Sequence, residues 1–211
     1  MGFKFTIQKL CSATAKRLDR FGSRLTTGAN NSEHHSPRLD CCAAPSAQFM
    51  STAVVDNFRK NAIFVKVGAG TVVRGQLMIF GHGGNIEIGA HCYVGEGARI
   101  WSAESIVIGN RVLISHGVNI HDTDSHPIDK ELRHQHYQRI LSQGHPMLYE
   151  FNIISRRIEI EDDVWIGFGA AILKGVRIGK GSIIAACSVV THDIPARVIA
   201  GGNPTKIMRQ L

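Results

Sequence analysis

The chain has 211 residues, 44% of them hydrophobic and 19% charged, with a formal net charge of +7. That is enough apolar material for one sizeable core, yet no apolar run approaches the roughly 18 residues a membrane span requires. Residues 1–60 carry nine Lys or Arg against four Asp or Glu and residues 61–211 carry 15 against 13, so the body offers no basic tract for a phosphate backbone and nucleic-acid binding is excluded as a reading.

Residues 1–60 read as a region of their own. Phe3, Phe5, Ile7, Leu10, Leu18 and Phe21 interleave with Lys4, Lys9, Lys16, Arg17 and Arg20, the pattern of a basic, loosely amphipathic helix. Such a helix can lie on an acidic membrane surface or cap the open end of a repeat fold. A Met1-Gly2 start with Thr6 also fits the permissive myristoylation pattern. Residues 26–50, rich in Ser, Ala, Asn, Pro and His, read as a linker. The five cysteines are odd in number and lack metal-ligand spacing, which points to a reducing, intracellular setting.

From residue 61 to 211 one beat organises the chain. Ile160, Ile166, Ile172, Ile178, Ile184 and Val190 recur every six residues. The same beat runs through Val67, Val73 and Ile79, then Ile88, Val94 and Ile100, then Ile108, Ile114 and Ile120. Six matches neither the helical period nor simple alternation across a sheet. A short strand followed by a tight corner does match it, and three such faces close a turn. Ile160 should then stack on Ile178, Ile166 on Ile184 and Ile172 on Val190, in a parallel β-solenoid with a continuous aliphatic column. Small or slim residues four places after each aliphatic, at Val164, Ala170, Val176, Ser182 and Ser188, suit the crowded corners.

The beat breaks over residues 121–157. Insertions into a rigid repeat leave its core intact and are usually there for a purpose. This one holds five of the chain's 11 histidines. Among them His126 stands where the chain leaves the coil, with its backbone stiffened by Pro127.

At these residues the chain resembles a known family. The hexapeptide beat, His126-Pro127, Val164-Trp165-Ile166-Gly167 and Gly202-Asn203-Pro204-Thr205-Lys206 together resemble the left-handed β-helix acetyltransferases. The branch they are most similar to is that of maltose, galactoside and nodulation-factor O-acetyltransferases and related polysaccharide O-acetyltransferases. The fold expected is all-β, a left-handed parallel β-helix with an extruded loop and an N-terminal helical or mobile segment. The resemblance implies a homotrimer, with acetyl-CoA in the groove between neighbouring solenoids and a sugar acceptor against the loop.

By position in that family's motifs, His126 resembles the general base, which takes the proton of a sugar hydroxyl as its oxygen attacks the thioester. Glu150 and Asp124 are candidates to hold its far nitrogen. Trp165 resembles a wall beside the thioester end of the pantetheine arm. Backbone at Gly167, Gly169, Ala185 and Ala186 would pair with pantetheine amides, and Thr191, His192, Lys206 and Arg209 match positions that meet the nucleotide end. Phe168 departs from the small polar residue common there. Asp122, Asp124, Asp129 and Arg133 are the expected acceptor contacts. No metal is expected. With the basic front end, these features point to a cytoplasmic enzyme, at the inner membrane face, acting on a bacterial cell-envelope glycan or its precursor; a small free saccharide or xenobiotic is the alternative acceptor.

A second class stays open. His116 and His121, five apart, resemble two zinc ligands of the γ-class carbonic anhydrases, with His82 or His91 as a third from a facing subunit.

Overall fold

The computed structural model describes residues 40–148 and 150–211; the proposed amphipathic helix, Cys11 and the myristoylation pattern lie outside the described residues. The chain winds through three sheets of six, eight and six strands, one for each side of a prism. Every pairing within them is parallel except the last, where Val198–Gly201 meets Lys206–Gln210 in an antiparallel hairpin. This is the parallel β-helix expected from the repeat, with the left-handed winding expected from the resemblance.

The predicted stacking holds residue by residue. Ile160 pairs with Ile178 in the first sheet, Ile166 with Ile184 in the second and Ile172 with Val190 in the third. These side chains are all essentially inaccessible to solvent, and each contributes about 1.5–3 kcal/mol by leaving water. The corner residues Val164, Ala170, Val176, Ser182 and Ser188 are buried as well. Ser182 meets its polar needs locally, donating to the Pro195 carbonyl at 2.6 Å and accepting from the Val198 amide at 3.2 Å.

Three features depart from the sequence reading. The coil begins before residue 61: Cys42–Ala43, Gln48–Phe49 and Val54–Asn57 already pair with the strands above them. Their inward residues Ala43, Phe49 and Val55 keep the six-residue spacing but are not all branched aliphatics. In the next coil Leu77, rather than Ile79, shares the register of Ile100, because the corner after Val73 is two residues shorter; Ile79 is a further inward residue, fully buried. Finally, the extruded segment is not an open loop. It contains a 14-residue helix, Lys130–Gln143 (α1), whose N-terminus is capped by Asp129, with Oδ1 accepting from the Glu131 and Leu132 amides at 3.0 and 2.9 Å.

Candidate functional site

The extruded segment leaves the third sheet after Asn119–His121 and returns to the first sheet at Ile158. Its base is fastened by an antiparallel bridge between Thr123 and Ser155 and by the Arg156 amide, which donates to the Asp122 carbonyl at 2.8 Å. Ser125, with φ of 62°, bends the chain so that His126 comes out exposed while Pro127 goes in. His126 Nδ1 lies 3.2 Å from Nδ1 of His136, on α1. Of the carboxylates suggested as its partner neither takes that place: Asp124 pairs with Lys174 Nζ at 2.5 Å and Glu150 lies 3.7 Å from Arg139 Nε.

His136 is 3% exposed, and its ring packs against Phe151 at 5.0 Å between centroids. Burial, reinforced by the neighbouring histidines 126, 145 and 82 and opposed by Glu150, lowers its pKa. His136 therefore favours the neutral form. It also lines a small, partly open cavity with Phe80, His82, Thr123, His145 and Glu150.

The residues expected to face an acceptor divide in two. Asp122 does not face one: it is fully buried and spends its carboxylate on the coil below, accepting from Ser102 Oγ at 2.7 Å, the Ala103 amide at 2.7 Å and the Glu104 amide at 3.0 Å. Asp129 caps α1. Arg133 is turned back onto the loop, donating to the Ile128 carbonyl at 2.7 Å. Asp124 remains beside His126 in sequence, half-buried, with Oδ2 lacking a partner in the described structure.

Trp165 stands on the second sheet, on a different face of the prism from the strand that leads to His126. It lies in register between Leu113 and Ile183. Alternation along so short a strand sends Ile166 inward and Trp165 outward, and the indole is 48% exposed. Its Nε1 donates to Ser115 Oγ at 3.4 Å. Trp165, Leu113, Tyr93, Ser115, His116 and Arg74 line an open groove of about 740 Å³. Tyr93, Ser115 and Arg74 were not singled out from sequence, although Leu113 and Tyr93 occupy Trp165's own place in the repeat one and two coils below.

The groove ends at the corner between the second and third sheets. Phe168 lies flat on His116 there, with centroids 5.2 Å apart, so the unexpected Phe is accommodated by an aromatic stack. Gly167 is needed at this corner because a Cβ would come within 2.6 Å of the Ala186 amide nitrogen. The amides of Gly167, Gly169 and Ala185 bond to the Ile184, His116 and Ala200 carbonyls of adjacent coils at 2.8, 3.1 and 2.8 Å, so pairing with a pantetheine arm would fall to backbone carbonyls of this stretch. The coil-to-coil ladder takes the donors that an isolated edge would offer. Ala186 is exposed and small, Thr191 and His192 are exposed and joined at 3.2 Å, and Lys206 and Arg209 are exposed on the terminal hairpin.

His116 and His121, the pair behind the zinc reading, do not converge. His116 stacks on Phe168 and His121 on Trp101 at 4.8 Å. Among the described residues no group of three His, Cys, Asp or Glu side chains is placed to hold a metal ion.

Comparison with known proteins agrees with the motifs. Residues 157–192 match the family Bacterial transferase hexapeptide (six repeats). The chain is 36% identical over 132 residues to the galactoside O-acetyltransferase of Escherichia coli, covering 63% of this chain and 57% of that protein. It is 34% identical over 129 residues to the galactoside O-acetyltransferase of Lactococcus lactis, covering 61% and 55%. The chain thus spans little more than half the length of these relatives. A variant of AntD, an N-acyltransferase from Bacillus cereus, shares the fold at a TM-score of 0.59 and 15% identity, over 77% of this chain and 79% of that one.

Proposed function

We propose that this hexapeptide-repeat β-helix, similar to galactoside O-acetyltransferases, moves an acetyl group from acetyl-CoA to a sugar hydroxyl. The observation that carries the reading is the placement of His126: exposed at the mouth of the extruded segment, with Nδ1 engaged by His136. Nε2 is then the nitrogen left to meet an acceptor. It takes the hydroxyl proton as the oxygen attacks the acetyl carbonyl, and the resulting imidazolium gives that proton to the sulfur as the C–S bond breaks. No covalent acyl-enzyme is needed.

Because Trp165 and His126 belong to different faces of one prism, a site that uses both is completed by a second copy, which supports a homotrimer with the thioester held in the cleft between neighbours. The half-exposed indole and the apolar side chains of Leu113 and Phe168 suit the pantetheine arm and exclude water from the reacting carbonyl. Ala186 leaves room for that arm, and Thr191, His192, Lys206 and Arg209 supply polar and cationic groups for the nucleotide end. Asp124 lies two residues before His126, but its unpartnered Oδ2 is buried and its Oδ1 pairs with Lys174, so an acceptor would reach it only where that pair opens. The basic composition of residues 1–60 supports work at the inner face of the cytoplasmic membrane, on an envelope glycan or its precursor.

The experiment is thiol release from acetyl-CoA across a panel of mono-, oligo- and polysaccharides, with mass spectrometry of the product. A gain of one acetyl group by a sugar supports the reading. Release without an acetylated sugar, or none with any acceptor, overturns it.

A further inference from the structure

We propose that His136 is a positioning residue that fixes the tautomer of His126, with Glu150 behind it as the anchoring charge; this rests on the reading of His126 as the base. Two neutral imidazoles whose Nδ1 atoms lie 3.2 Å apart share one proton between them. If His136 carries it, His126 accepts at Nδ1, holds its own proton on Nε2, and cannot take one from an acceptor. If His126 carries it, Nε2 has a lone pair and the base is ready. Which arrangement holds is decided by what the other nitrogen of His136 meets.

The surroundings favour the second arrangement. His136 is almost wholly buried, and the charge of Glu150 acts on it against the effect of burial. Both residues line the same small, partly open cavity, about 20 Å³ in volume, with Phe80, His82, Thr123 and His145. That is room for a single water, whose polar partners in an otherwise largely apolar wall would be His82, Thr123, His145 and Glu150. A carboxylate in contact accepts only and so draws the His136 proton to Nε2, while a bridging water that donates to Glu150 can accept that same N–H; either leaves Nδ1 as an acceptor. His126 Nδ1–H then donates to His136. When His126 gains the acceptor's proton at Nε2, the imidazolium forms with its Nδ1–H already bonded, and the same proton later leaves with the thiol. The groups facing this pair are His82, His145 and Glu150, the last within reach of Arg139. All of α1 exists, in this view, partly to bring one imidazole under another.

The test uses the full chain labelled with ¹⁵N-histidine, with the His126 signals assigned by their loss in His126→Ala. In the neutral protein His126 should carry its proton on Nδ1, and in His136→Phe it should revert to the Nε2–H form common in water. In turnover, His136→Phe should lower kcat about 10–100-fold, as loss of an orienting partner does, with KM for acetyl-CoA unchanged. The acid limb of the kcat profile should move to lower pH because the imidazolium has lost its acceptor. His136→Asn, whose amide oxygen can accept, should recover part of the rate. An unchanged His126 tautomer in His136→Phe, or an Nε2–H tautomer in the wild type, overturns the proposal. If His136→Phe does not fold, Glu150→Gln takes its place and should shift His126 toward the Nε2–H form; no shift overturns the proposal equally. The tautomer is read without substrate, so a protein that acetylates nothing would sink the proposed activity and still report on His136.

Discussion

Asp122 and Ser102 meet at 2.7 Å, carboxylate to hydroxyl, with no solvent access to either residue. The contact locks the mouth of the extruded segment to the coil beneath and so sets where His126 emerges four residues later. Burial raises the Asp122 pKa, against the lowering effect of the Ala103, Ser102, Glu104 and Ser105 hydrogen bonds. A carboxyl raised in the folded state stabilises most fully below its unfolded pKa, and that contribution fades as pH rises through the folded pKa. Urea unfolding of wild type and Asp122→Asn should therefore show the wild type's relative stability falling from about pH 4 upward, then levelling off. Asp122→Ala, which strands buried donors, should cost about 1–3 kcal/mol or more.

The aliphatic column gives a second expectation. Ile172 lies between Ile120 and Val190 in register, with all three fully buried. Ile172→Ala should lower the unfolding free energy by about 2–5 kcal/mol, read as a drop in the urea midpoint at unchanged slope.

Trp165 should behave in the opposite way. Its indole is half-exposed, so Trp165→Ala should leave the unfolding midpoint nearly unchanged while raising KM for acetyl-CoA about tenfold, the loss of roughly 1.4 kcal/mol of contact. Steady-state kinetics and denaturation on the same preparation separate the two effects.

Prolonged chelation followed by gel filtration should leave acetyl transfer unaltered, since the proposed chemistry runs through imidazole and thioester alone. Loss of turnover restored by zinc would favour the reading built on His116 and His121.

The fold was legible where chemistry and geometry coincide. From Ile160 to Val190 the inward positions are all branched aliphatics at one spacing, so the register could be read directly. It faded at Ala43 and Phe49, where the same inward positions hold a small and an aromatic side chain, and at Leu77, where a shortened corner shifts the count. Helix α1 was hidden because the face it buries is nearly bare of apolar residues: within it only His136 is buried. For the same reason the His126–His136 contact could not be seen, since it depends on α1 turning one imidazole back toward another ten residues away. Asp122 was misread as an acceptor contact because a buried carboxylate that satisfies three donors looks, in sequence, like any polar residue in a loop.

The most direct measurement of a cleft shared between copies is complementation between His126→Ala and Trp165→Ala, co-expressed with different tags, isolated as mixed oligomers and assayed for thiol release at low acetyl-CoA. Each mixed trimer should contain one cleft with both residues intact, so activity should rise well above that of either variant alone. Mixed oligomers no more active than the two separate variants would contradict the account.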